Sequence, residues 1–266
     1  MKKIGFIGCG NMGGALLRAV LSAIPSESVL IADADEKKTA FFKTEYGVTV
    51  CGAETIALTA DYIVLGVKPQ TLFDLLSSLS CTLKNREVMP VLVSMAAGIS
   101  IEKIEKAVPA CPIIRIMPNT PASVGEGMIL WSAKGTSEEQ KAFFLHAFSR
   151  AGCLDCLDEK FIDAASALSG CGPAFVCLFA EALADGAVAC GLPRKSANLY
   201  AAQTLLGTAK LILESGEHPG KLKDAVCSPG GTTIEGVRAL EEGALRGTVM
   251  DAVIAAYNKT LALGKK

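Results

Sequence analysis

Six residues near the start, Gly8-Cys9-Gly10-Asn11-Met12-Gly13, limit what this chain can fold into more than any other stretch. They follow a short apolar run, Lys3 to Ile7, that reads as a buried strand. They precede Ala15, Leu16, Leu17, Val20 and Leu21, which carry a helical pattern. Glycines at this spacing say little alone. Between a strand and a helix, with a second apolar run (Val29 to Ala32) ending in Asp33, they form the fingerprint of a dinucleotide site. Gly8 permits the tight turn, Gly10 lets a pyrophosphate approach the backbone, and Gly13 allows close helix–strand packing. Asp33 lies about 20 residues past the last glycine, where a carboxylate meets the ribose hydroxyls of the adenosine half. Gly8, Cys9, Gly10, Asn11, Met12 and Asp33 are therefore cofactor-binding candidates.

The alternation of strand and helix continues. Tyr62 to Val67, Val88 to Met95 and Ile113 to Met117 read as strands; Lys37 to Tyr46, Leu72 to Leu79 and Ile101 to Val108 read as helices. Such alternation implies a parallel sheet covered on both faces, with ligands at the carboxyl ends of the strands. At those ends stand Val67-Lys68-Pro69, offering a cation, and Met95-Ala96-Ala97, small enough for a nicotinamide ring to lie against backbone. Both triplets join the cofactor candidates. Ser137 to Phe148, opening with a Ser137/Gln140 capping box, closes this region on a helix.

From about Lys160 the strand signals stop. Ala174 to Cys190 and Lys195 to Leu213 are long, Ala- and Gly-rich helical stretches, apolar on most sides, with Pro173 suited to a first turn. A helix apolar all round must be covered, and a hundred residues cannot cover several. The chain thus divides into a dinucleotide-binding Rossmann domain (1–158) and an all-α domain (159–266) that pairs with a second copy, making an α/β homodimer or higher homo-oligomer. Glu181 and Asp185 interrupt the most apolar stretch, which argues against a membrane span. With no secretory signal pattern at its start, the chain is expected to be cytoplasmic.

A formal net charge of −1 and the lack of a basic block exclude a nucleic-acid partner. The ten cysteines sit mostly singly in apolar runs, as small buried hydrophobes do. Cys153-Leu154-Asp155-Cys156 has no second pair and no nearby histidine, so it reads as a strand and no metal site is assigned.

Near the C-terminal end, Ser228-Pro229-Gly230-Gly231-Thr232-Thr233 crowds three hydroxyls around two glycines, directly before Ile234, Val237 and Leu240 at helical spacing. A glycine-rich turn feeding a helix leaves amides unpaired at a positive dipole end, which suits an anion. With no lysine present, one small carboxylate fits better than a triphosphate. Thr232 and Glu235 also have capping-box spacing, which alone would account for the threonines.

Taken together, Gly8-Cys9-Gly10-Asn11-Met12-Gly13, Val67-Lys68-Pro69, Arg115-Ile116-Met117-Pro118-Asn119-Thr120-Pro121, Ser169-Gly170-Cys171-Gly172-Pro173-Ala174 and the Ser228–Thr233 stretch resemble pyrroline-5-carboxylate reductases along nearly the whole chain. The resemblance implies NADPH- or NADH-dependent reduction of 1-pyrroline-5-carboxylate to L-proline, with sites formed where chains meet. It implies that Ser228, Thr233 and the amides of Gly231 and Thr232 hold the substrate carboxylate. Ser166 would face the ring nitrogen and Glu159 would lie near the bound imino acid, making Ser166 and Thr233 the catalytic candidates. Cys171 replaces the family's usual serine, and the asparagine often found around Gly52-Ala53 is missing. Asp33 and Asp35, without a Ser/Arg pair, tilt the cofactor balance towards NADH. Two other classes fit less well: a hydroxy- or keto-acid reductase, whose catalytic lysine is hard to find here, and a nucleotide-binding regulator, which has no need of a carboxylate cradle.

The chain has only two histidines, His146 and His218, and neither falls at a strand end. A protonated cyclic imine needs little general acid. His146→Gln and His218→Gln should each keep most of the reductase activity; loss of the chemical step in a folded variant would reveal an acid elsewhere.

Overall fold

A computed structural model describes residues 2–264. Two compact units divide the chain: one holds residues up to Cys171 and those from Tyr257 onward, the other Gly172 to Ala256.

The first unit is built on one eight-stranded sheet. Its strands are β1 (Ile4–Ile7), β2 (Val29–Ala32), β3 (Thr49–Val50), β4 (Tyr62–Leu65), β5 (Val91–Ser94), β6 (Ile113–Met117), β7 (Gly127–Lys134) and β8 (Gly152–Cys156). They stand in the order β3-β2-β1-β4-β5-β6-β7-β8. Interleaved are α1 (Asn11–Leu21), α2 (Glu36–Tyr46), α3 (Ala53–Thr59), α4 (Pro69–Lys84), α5 (Ile101–Ala107), α6 (Glu138–Phe148) and α7 (Ile162–Ser169). Continuous apolar strands are what a sheet buried on both faces requires. In β4, Tyr62 and Val64 join Leu16, Leu17, Phe144 and Phe148 of α1 and α6. Ile63 and Leu65 join Ile56, Leu72, Leu76 and Ile104 of α3, α4 and α5. The period-two alternation of side chains thus supplies two separate cores.

The sheet is not the wholly parallel one that the alternation of strands and helices implies. β7 runs antiparallel to β6, pairing Met117 with Leu130 and Ile113 with Lys134, and β8 runs parallel to β7. The reason is the length of the connection. A single 3₁₀ turn over Thr120–Val124 joins β6 to β7, whereas a parallel crossover needs a dozen residues or more. Sequence periodicity also passes over β3 and α3, which have two and seven residues, too few to show a period. The capping box at α6 is present as expected, with Ser137 and Gln140 each bonding the other's backbone amide.

Helices α8 (Gly172–Ala189), α9 (Arg194–Ser215), α10 (Pro219–Ala225), α11 (Thr232–Glu242) and α12 (Leu245–Gly264) complete the chain. Within the second unit, α8 and α9 meet through Ala184, Ala197 and Ala201, with Ala187, Val188 and Leu192 packed beside them. Alanines let the helices approach but bury little apolar area. Val176, Leu178, Leu199, Leu206 and Leu213 remain exposed on the single chain, a larger apolar surface than a solitary soluble domain carries.

One polar contact is made by the first core. The Tyr62 hydroxyl donates to the Gln140 carbonyl at 2.9 Å, tying β4 to α6. Burial, then Asp61 and Glu139, push its pKa up to about 12. Because the folded value is raised, this group's contribution to stability is whole below pH 10 and falls as pH climbs from there to about 12. Tyr62→Phe should cost about 1 kcal/mol in urea denaturation, with an unchanged denaturant slope.

Candidate active site

The order of strands reverses between β1 and β4, and a cavity of about 750 Å³ opens at that point. Gly8, Gly10, Asp33, Val67 and Lys68 line it. Gly8 has φ +101°, and a Cβ there would come within 2.6 Å of the Gly66 carbonyl group. At Gly10 nothing lies within 4 Å of the Cβ position, so the absent side chain leaves open space above the loop. Gly10 is also the N-cap of α1, with no side-chain cap and no acidic residue in the first turn. The amides of Asn11 and Met12 therefore face an anion site at the positive end of the helix. These features fit a dinucleotide pyrophosphate. Met95, Ala96 and Ala97 follow β5, the strand next to β4. Ala96 is buried and Ala97 exposed, and the bend that carries them does not line the cavity. Pro69 opens α4, with Lys68 as its N-cap.

Asp33 is placed differently from a free ribose acceptor. Its Oδ2 accepts the Cys9 amide at 2.6 Å and its Oδ1 accepts the Asp35 amide at 2.8 Å. The carboxylate thus fastens the glycine loop to the end of β2. Cys9, buried beside it, has its thiol pushed up to about 12, first by burial and then by the Asp33 charge.

Arg115 is the feature that sequence reading left without a role. It lies on β6 with 4% of its surface exposed. Its guanidinium bonds Glu159 at 3.0 Å and Asp163 at 2.7 Å. The same Glu159 oxygen accepts the Ile101 amide at 2.7 Å, so Glu159 is held at the start of α5 by two donors. A lone cation among Ile113, Ile114 and Ile116 is itself a signal, since a buried charge demands partners. Asn119 in the same motif is likewise spoken for: it donates to the Ser169 carbonyl and accepts the Met128 amide. It thereby fastens the end of α7 to the β6–β7 turn. Ser166, on α7, is buried, and Gly170 keeps the space near its hydroxyl clear: a Cβ at 170 would stand 3.1 Å from Ser166 Oγ.

In the second unit, Ser228 to Gly231 form a tight turn, with Pro229 and Gly230 at its centre, Gly230 at φ +65°, and the Gly231 amide donating to the Ser228 carbonyl. That amide is committed to the turn, so Gly231 contributes its missing side chain instead. A Cβ there would strike Ser228 Oγ at 2.2 Å. The N-cap of α11 is Gly231, without a side-chain cap. Thr232 is already helical, so no Thr232/Glu235 capping box forms, and Glu235 bonds Arg238. Among the described residues the amides of Thr232 and Thr233 have no backbone acceptor. Both threonines and Ser228 are exposed on the single chain.

Comparison with known proteins decides the family. Residues 159–263 match the family described as pyrroline-5-carboxylate reductase dimerisation, and residues 3–98 match NADP oxidoreductase, coenzyme F420-dependent. A pyrroline-5-carboxylate reductase of Arabidopsis thaliana is 40% identical, covering 99% of this chain and 96% of its own. This chain belongs to the pyrroline-5-carboxylate reductase family. A pyrroline carboxylate reductase of Plasmodium falciparum, solved with NADP bound, superposes with a TM-score of 0.87 at 34% identity, over 99% of this chain and 98% of that one. The Coxiella burnetii reductase gives 0.91 at 32%, over 98% of each. The apolar helices of the second unit fall within the family's dimerisation domain, which gives their exposed faces a cover and makes the protein a homo-oligomer. By length and composition alone, the stretch 159–189 is apolar enough to cross a membrane, with a mean hydropathy of 1.6. Its membership of a dimerisation domain accounts for that surface without a bilayer.

Two outcomes follow. Arg115→Met would leave two partly buried carboxylates unpaired, and its cost should reach about 2–3 kcal/mol in denaturant unfolding, short of the 3–5 kcal/mol of a fully buried pair. The Cys9 thiol, buried and protonated, should resist iodoacetamide at pH 8 while exposed Cys81 and Cys153 react.

Proposed function

We propose that this protein reduces 1-pyrroline-5-carboxylate to L-proline with a hydride from NADPH or NADH, as a soluble cytoplasmic enzyme at the last step of proline synthesis. The observation that carries the reading is the Ser228–Thr233 turn, a carboxylate cradle in a chain that also holds a dinucleotide cavity. Bound NAD(P)H supplies the hydride. The residues that would hold it are Gly8, Cys9, Gly10, Asn11 and Met12 at the loop, with Val67, Lys68 and Pro69 at the next strand end; Met95, Ala96 and Ala97, after β5 and outside the cavity lining, would meet only its nicotinamide end.

The rest of the chemistry is the protein's own. The Thr232 and Thr233 amides and the Ser228 and Thr233 hydroxyls bind the substrate carboxylate and so orient the ring. Charge-assisted bonds of this kind are about twice as strong as neutral ones. Ser166 offers its hydroxyl to the ring nitrogen, keeping the imine proton in place as the carbon accepts the hydride. Glu159, held by Arg115 and the Ile101 amide, stands as a fixed negative charge that favours the protonated imine. No histidine takes part.

The decisive assay follows cofactor oxidation with pyrroline-5-carboxylate beside a panel of hydroxy and keto acids. Turnover of the imine, and of no panel member at comparable efficiency, is the expected result. Thr233→Ala should then lose about 1.5–3 kcal/mol of transition-state binding, read from kcat/KM. Since Thr233 caps nothing, its melting temperature should stay within a degree or so of the parent.

A further inference from the structure

Ser166 sits on α7 with 7% of its surface exposed, yet no hydrogen bond among the described residues uses its hydroxyl. Ser169, one turn on, gives its own hydroxyl to the Ala165 carbonyl at 3.1 Å. A buried hydroxyl left unpaired is costly, and one that persists is kept for a ligand. The helix that carries it has eight residues, too few to hold a direction alone. It is held from outside, and both holds come from one strand. In its first turn, Asp163 takes the Arg115 guanidinium at 2.7 Å, and the same guanidinium reaches Glu159, just ahead of the helix, at 3.0 Å. At its last residue, the Ser169 carbonyl accepts the Asn119 side-chain amide at 2.9 Å, while the Asn119 oxygen accepts the Met128 amide at 2.8 Å. Arg115 lies on β6 and Asn119 just past its end, and both are buried. Asp163, Ser166 and Ser169 are spaced three apart, so they follow one side of the helix with Ser166 between the two holds.

We propose that Arg115 and Asn119 are positioning residues of the hydride step: gripping α7 at both ends, they hold the Ser166 hydroxyl at the imine nitrogen. This deepens the reductase reading and rests on it for the substrate. A reacting group displaced by about 1 Å loses about a hundredfold in rate, and a short helix pinned at one end alone swings by more than that at the other. The grip of Arg115 also extends beyond α7. The Glu159 oxygen that it bonds accepts the Ile101 amide at the start of α5. The loop that carries Met95, Ala96 and Ala97 runs into that same helix. One guanidinium thus joins the helix of the proton side to the loop of the nicotinamide side. Bonds that served only to attach α7 could fall on any of its faces; these converge on the side whose buried hydroxyl is left free.

The test is steady-state kinetics on the intact protein, following cofactor oxidation with pyrroline-5-carboxylate, for Asp163→Asn, Asn119→Ala and Ser166→Ala, alone and combined. The Asp163 side chain is 33% exposed and its amide is nearly isosteric, so that variant loosens one end without opening the core. Each end variant should lower kcat about tenfold, with the KM for NAD(P)H unchanged. Ser166→Ala should lower kcat by at least as much. Adding either end variant to Ser166→Ala should then cost about twofold or less, because the hydroxyl that they position is gone. End-variant losses that multiply in full with that of Ser166→Ala, or a loss confined to melting temperature, would overturn the proposal and leave both bonds as ordinary structure. Full activity in both end variants of an active chain would overturn it too, with the reductase reading intact. A native chain inactive on the imine would instead overturn that reading.

Discussion

Everything at the nucleotide end depends on three backbones meeting without side chains. A Cβ at Gly13 would lie 2.3 Å from the Gly8 carbonyl oxygen, and one at Gly66 would lie 2.4 Å from the same atom. The first loop, the first helix and the fourth strand therefore touch main chain to main chain. This closeness sets α1 directly behind the loop and points its free amides over the sheet. It also brings the ends of β1 and β4 together at the place where strand order reverses, so the cavity is a product of packing. The Asp33–Cys9 bond then fixes the outer edge of the loop to β2. Glycine at three positions and one carboxylate are enough to shape the site before any ligand enters.

Much of this was legible in the residues, and the limits are physical. Val29–Ala32 and Ile113–Met117 stand where the pattern places them because fully buried strands have no other way to look. The antiparallel β7 was not visible, since a strand's direction depends on how far the connecting turn can reach. Arg115 illustrates a different limit. The charge is plain in the sequence, but its partners arrive from 44 and 48 residues further along, and no local spacing announces them. Asp33 is subtler still. Its distance from the glycines is the spacing of a nucleotide site, yet the Cys9 and Asp35 amides that it accepts follow from a loop geometry that spacing does not encode. At Thr232 two motifs overlapped in sequence, and the helix starts one residue too early for Thr232 to cap it, with Gly231 in the cap position instead.

The two units solve the problem of burial in opposite ways. The first has strands apolar on both faces and two cores of large side chains, with Phe6, Tyr62, Phe144 and Phe148 fully enclosed. The second brings helices together on alanine, leaving leucines and valines outward. Small residues at a helix crossing buy closeness and little apolar area, so the remainder must come from another copy of the chain.

That alanine seam makes association part of folding. A freshly made chain can complete its sheet alone, but its last five helices reach their full burial only on meeting a sister. The stability of this half therefore rises with the number of chains in the cell, and a dilute protein is a partly unfinished one. Abundance itself becomes a structural variable: where synthesis is slow, the first loss is of the helices around the Ser228–Gly231 turn, while the sheet persists.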